Sequence, residues 1–285
     1  MEAERSPDVI APRRKRIPAA EVRERMLQAA QDFVLETGVT ISLEEMSLED
    51  LMRRAEVPRS SVYRQWPYKG DFVVDLLCRL AEPDWAGTAQ QVKQQRALDV
   101  AWEVANANQP MLATEAGRRA VACEAIRRAV AVSFQDMGAD PAWPIYMALT
   151  STIGNTRDPQ ARTRIAEALE EFERQRVDSM VRFFEKLAGV LGVRLRPGLR
   201  MEHLAVATGA LMQGLLLRTL IVRHTEETAP QPSAATDWSL DQTINTPIPG
   251  PGLAGEATDW SLVAIAYLGI LESMTEQDPD ADLSV

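Results

Sequence analysis

The chain has 285 residues, 46% of them hydrophobic and 25% charged, with 31 Lys+Arg against 41 Asp+Glu and a net charge of -10. These proportions are ordinary for a soluble globular protein with enough chain to bury a substantial core. They exclude a membrane-spanning protein, because no apolar run reaches the roughly 20 residues of a span.

The basic residues of MEAERSPDVIAPRRKR are followed by no apolar stretch, so no secretory signal is read and a cytoplasmic location is expected. Cys78 and Cys123 sit in separate helical patterns and are expected as reduced core thiols. Aromatic residues are only 6% of the chain, and Ala, Leu, Arg and Glu are abundant, which favours an all-α fold. The charge is unevenly divided: residues 1–80 hold 13 Lys+Arg and 14 Asp+Glu, and the remainder holds 18 and 27. An acidic body with a locally basic face at one end can still engage a polyanion.

Residues 1–17 have two prolines and no periodicity, and read as a disordered basic arm around Arg13–Arg16. From Pro18 a helix begins, with Val22, Met26, Ala29, Ala30, Phe33 and Val34 at helical spacing and Gly38 as its stop. A polar segment follows. Ser47-Leu48-Glu49-Asp50 then has the form of a capping box for a second helix buried through Leu48, Leu51, Met52 and Ala55. The chain breaks at Glu56-Val57-Pro58. A short third helix at about 59–65 ends at Trp66, because the residue before Pro67 is pushed out of helical geometry. A fourth helix carries Phe72, Val73, Leu76, Leu77 and Leu80 up to Pro83.

Later helices are predicted at about 87–108, 111–117, 118–136, 142–154, 160–192, 198–224 and 258–274. Leu204 to Val222 is apolar almost all round, as in a central or interface helix. Residues 225–257, with Pro230, Pro232, Pro247, Pro249 and Pro251, read as a mobile loop. Thr-Asp-Trp-Ser-Leu occurs twice, at 236–240 and 258–262, and the second copy is read as the capped start of the last helix from Asp259. Residues 275–285 are expected to form a frayed acidic tail.

A short helix braced by a preceding one suits the major groove of DNA. Here Arg59 and Arg64 can donate to guanine edges or phosphates, Ser60 and Ser61 permit close approach, and Tyr63 and Gln65 add polar contacts. Ser47 and Lys69 sit at the starts of the flanking helices, where phosphates are held. Val62 is expected to face inward and Trp66 to pack in the core. No catalytic constellation competes. His203 and His224 stand far apart with no cysteine nearby, there is no phosphate-cradling Gly-rich loop, and no cofactor or metal is expected.

Ala29-Ala30, Phe33 and Gly38, followed by Val57, Ser60-Ser61-Val62-Tyr63, Trp66-Pro67 and Lys69, resemble the signature of the TetR family of transcriptional regulators over about residues 18–80. Three departures stand out. Pro58 replaces the usual Ser or Thr cap, Trp66 the usual Phe, and Gly70 the usual acid; the 39–46 connection is also longer than common.

The resemblance implies a DNA-binding domain at 18–82 and a helical regulatory and dimerisation domain at 83–285. It implies a homodimer on a palindromic operator of double-stranded DNA, most simply a repressor and not an enzyme. A small hydrophobic or aromatic effector would release it from DNA. Trp102, Met111, Trp143, Tyr146, Met147, Phe172 and Met180 are the effector-site candidates, and Leu204, Leu211, Leu215 and Ile265 the interface candidates. Two other readings stay open at this point: an orphan DNA-binding regulator without a ligand, and a helical protein-interaction module that has lost DNA binding.

Overall fold

The computed structural model describes residues 17–38, 46–82, 89–228, 243–246 and 258–279. Among them are ten α-helices, one 3₁₀ turn and two short antiparallel ribbons, so the fold is all-α apart from those ribbons. None of these helices is long and apolar enough to cross a membrane. The basic run at Arg13–Arg16, the polar lead-in at 39–45 and the first Thr-Asp-Trp-Ser-Leu copy lie outside the described residues. So does most of the Pro-rich stretch.

The chain forms two compact units. The first contains α1 (Ala19–Thr37), α2 (Leu48–Arg54), α3 (Arg59–Gln65) and α4 (Lys69–Leu80). It also takes in residues 144–165, which are most of α7 (Ala142–Asn155) and the first turns of α8 (Pro159–Leu191). Pro18 is the N-cap of α1, and Gly38 ends it at φ 83° with its N–H donating to the Val34 carbonyl. Val22, Met26, Leu27, Ala30 and Val34 form the buried stripe of α1. Against it pack Leu51 and Met52 of α2, Val62 of α3, and Phe72 and Leu76 of α4, all buried.

The second unit holds α5 (Ala89–Ala107), α6 (Glu115–Gly138), the rest of α8, α9 (Met201–Thr228) and α10 (Leu262–Met274). Its core runs from Ala97, Leu98, Ala101 and Val104 on α5, through Val121, Ala125 and Ala129 on α6, to Phe184, Leu204 and Tyr267. The helix predicted at about 160–192 is α8, and its Ile165, Leu169, Phe184 and Leu187 are buried.

Four local expectations are corrected. The segment 111–117 is not an α-helix. Gln109–Ala113 is a 3₁₀ turn with a proline in its first positions, and Thr114 goes extended to cap α6 by accepting from Gly117 N–H at 3.1 Å. A Cβ on Gly117 would sit 1.9 Å from the Met111 carbonyl oxygen, so only glycine lets the turn lie against the helix. The last helix starts later than Asp259: Thr258–Ser261 is strand β3, paired with β2 (Thr243–Thr246), and Ser261 is the cap. Threonines and Ile244 favour the extended backbone there. Val193–Leu195, a predicted break, is strand β1. Thr275–Gln277, the supposed start of a frayed tail, is its partner β4, with Val193 opposite Gln277 and Leu195 opposite Thr275. Arg194 and Glu276 pair across that ribbon at 2.9 Å.

Cys78 and Cys123 are half-buried and not joined in a disulfide, one in each unit. His203 caps the start of α9, where its Nδ1 accepts from the Arg200 N–H.

Candidate nucleic-acid interface

The turn between α2 and α3 is set by hydrogen bonding. The Val57 N–H reaches back to the Met52 carbonyl at 3.1 Å, and the Glu56 N–H reaches the Arg53 carbonyl at 3.4 Å. This is the Schellman arrangement, completed by the buried pair Met52 and Val57. It requires a left-handed residue, and Glu56 supplies it at φ 54° where glycine would be unstrained. Pro58 then caps α3 through its backbone carbonyl, which accepts from Ser61 and Val62. No side chain caps this helix.

Helix α3 has two faces. Val62 is fully buried, and the next helical turn inward is Trp66, 2% exposed, whose ring meets Phe72 edge-on at 5.0 Å. Arg59, Ser60, Tyr63, Arg64 and Gln65 are on the exposed side, with Ser61 half-buried between the faces. Lys69, the first residue of α4, is also exposed, as is Tyr68 before it at 76%. Ser47 is the N-cap of α2, its Oγ accepting from the Asp50 N–H at 3.3 Å. Of the eight residues expected to meet DNA, six are exposed, and Ser47 and Ser61 are half-buried. Val62 and Trp66 are core residues, as their spacing implied.

Trp66 is fixed from beneath. Its indole N–H donates to Asp75 Oδ2 at 2.9 Å, and Arg23 of α1 and Arg164 of α8 pair with the same carboxylate. Burial pushes the Asp75 carboxyl up. The hydrogen bonds from Arg164 and Trp66, together with the two guanidinium charges, outweigh it and hold the carboxyl below its ordinary value. One carboxylate therefore ties the end of α3 to three other helices. Nothing in the sequence marks Asp75 for this role, because it sits on α4 among ordinary helix polar residues.

A second unforeseen residue is Glu49 on α2. Its carboxylate accepts the Tyr63 hydroxyl at 2.9 Å and lies 3.6 Å from Arg59, whose guanidinium rests over the Tyr63 ring. The Tyr63 hydrogen bond is the main reason that Glu49 titrates below its ordinary value. Arg59 and Tyr63 are therefore engaged, whereas no ion pair among the described residues holds Arg64 or Lys69.

The effector-site candidates are divided between the two units. Tyr146 and Met147 are half-buried on α7 in the first unit. In the second, Trp102 is 41% exposed, Trp143 is buried, and Met111, Phe172 and Met180 are half-buried. A cavity of about 370 Å³ exists in the second unit, and none of the seven lines it. Of the interface candidates, Leu204 is buried in its own core, and Leu211, Leu215 and Ile265 pack half-buried against it. Among the described residues, the large apolar side chains exposed on α9 and α10 are others: Val206, Leu217, Leu220 and Leu262.

No protein-family model and no curated protein matches this sequence. Among solved structures, the chain is similar to the reduced form of Escherichia coli NemR, at 18% identity and a TM-score of 0.39, over 72% of this chain and 89% of that one. It is similar to a transcriptional regulator of Saccharomonospora viridis solved with choline, at 16% identity and a TM-score of 0.36, over 71% and 86%. A regulator of Syntrophomonas wolfei assigned to the TetR family matches at 17% identity and a TM-score of 0.32, over 74% and 90%.

Proposed function

We propose that this chain is a transcriptional regulator of the TetR type that binds a palindromic DNA operator as a homodimer. The observation that carries the reading is the two-faced α3. Val62 and Trp66 anchor it, and Arg59, Ser60, Tyr63, Arg64 and Gln65 are presented together on its outer side. A seven-residue helix with that many donors, braced across a tight turn by α2, fits the major groove.

In this reading Arg64 and Gln65 read base edges, and Lys69 and Ser47 hold phosphates on either side. Residues 18–82 are the DNA-binding domain, and residues 83–285 carry regulation and dimerisation. The protein works in the cytoplasm as a repressor, performs no catalytic step, and leaves DNA when a small apolar molecule occupies its body. The interface is drawn on α9 and α10, where Val206, Leu217 and Leu220 leave large apolar groups on the surface. Two copies related by a two-fold axis present two recognition helices, which is why a palindrome is expected.

The test is selection of genomic DNA fragments by the purified chain. Recovery of one inverted-repeat sequence supports the reading. Retention that is uniform across fragments, or none at all, overturns it.

A further inference from the structure

The cavity of about 370 Å³ in the second unit lies within the size range of small-molecule sites, about 300–1,000 Å³. Ile126, Phe184, Leu187, Leu204, Leu268 and Leu271 make its apolar wall. The β1–β4 ribbon and the neighbouring ends of α6 and α10 supply all its charged lining: Arg119, Arg194, Arg196, Glu272 and Glu276. Three guanidinium groups against two carboxylates leave one net positive charge.

The pairing shows where that charge resides. Arg119 sits 2.7 Å from Glu272, and Arg194 sits 2.9 Å from Glu276. Arg196 is left with Glu276 at 3.9 Å and with a hydrogen bond to the Glu272 backbone carbonyl. It is the least neutralised cation of the five residues. Cys123, also in the lining, adds no charge at neutral pH, since burial pushes its thiol up to about 11.

We propose that this cavity is a binding site for an apolar carboxylate. Its anionic head meets Arg196 and its body lies on the leucine wall. Naming this molecule as the effector rests on the regulator reading, but the binding itself does not.

Calorimetric titration of the full-length chain, without DNA, tests it with octanoate and octylamine. Octanoate is expected to bind and octylamine not to. Ala188→Phe, which fills the cavity from a half-exposed position on α8, should abolish octanoate binding. Arg196→Gln, on an exposed residue, should erase the preference for acid over amine. Equal binding of octanoate and octylamine by the wild type overturns the proposal, as does undiminished octanoate binding by both variants. Selection of genomic DNA is measured separately on the ligand-free chain, so the cavity and the regulator reading can each fail alone.

Discussion

Replacing Asp75 by alanine removes the acceptor that fixes the C-terminal end of α3. The Asp75 side chain is 14% exposed, and the Trp66 side chain above it belongs to a residue that is 2% exposed. Stranding that indole N–H beside a lost charged partner costs about 1.5–3 kcal/mol. Arg23 and Arg164 are 40% and 49% exposed, so they regain water, and each lost pair costs about 0–1 kcal/mol. The expected loss is therefore about 1.5–5 kcal/mol for Asp75→Ala. It is about 1–2 kcal/mol for Asp75→Asn, which keeps an acceptor for the indole. Because the chain has two units, the readout should be local: hydrogen exchange of peptides covering α3 and α4, with denaturant titration alongside. The pH dependence has a fixed sign. The Asp75 carboxyl lies below its ordinary value when folded, so its contribution is complete above the unfolded carboxylate range near pH 4. That contribution fades as pH falls through the folded value, and the gap between wild type and Asp75→Asn should narrow there. A change under about 0.5 kcal/mol for Asp75→Ala, or a gap that stays constant to pH 3, would refute the reasoning.

Glu49→Gln releases Arg59 and weakens the hold on Tyr63. Affinity for duplex DNA of any sequence should rise, and the slope of log affinity against log salt should steepen by about one phosphate contact. Fluorescence anisotropy at several salt concentrations checks both. Arg64→Ala should cost about 1–3 kcal/mol on the selected operator and little on random DNA, whereas Lys69→Ala should weaken both alike. Glu56→Gly relieves a left-handed residue at some cost in chain entropy, and should stabilise the first unit by up to about 1 kcal/mol in the same exchange measurement. Leu217→Glu places a charge on the exposed apolar face of α9. It should convert the dimer to a folded monomer in sedimentation at micromolar concentration, and a wild type that is already monomeric would remove that face as an interface.

Local order along the chain was legible where one residue type has one mechanical use. Pro18 and Gly38 bounded α1, Ser47 capped α2, and the alternation of Val62 and Trp66 with polar neighbours divided α3 into two faces. Pairings between distant segments were not legible. The β1–β4 ribbon joins three-residue strands whose sequences carry too little pattern to announce themselves, and the break after α8 concealed it. The same limit applies at the site. Glu49 and Asp75 are polar positions on amphipathic helices until the crossing of α2 over α3, and of α4 under it, brings them to Tyr63 and Trp66. Leu204, Leu211 and Leu215 were singled out for the interface because α9 is apolar all round. Periodicity cannot say which side of such a helix its own core claims, and the core holds Leu204 while Leu217 is left outside.

The pairing of Val193 with Gln277 also has a consequence for the order of events at the ribosome. Helix α10 brings Val263, Ala264, Tyr267, Leu268 and Leu271 into the core of the second unit, and none of these exists when α6 and α8 have already emerged. At a synthesis rate of about 5–20 residues per second, the stretch between the two strands takes roughly 4–17 s to make. For that interval the leucines of α8 and α9 that α10 later covers face solvent or nascent-chain chaperones. The first unit, residues 1–80 with 144–165, is complete in sequence before that interval begins, so the outer face of α3 can be assembled while the second unit is still waiting for its last helix.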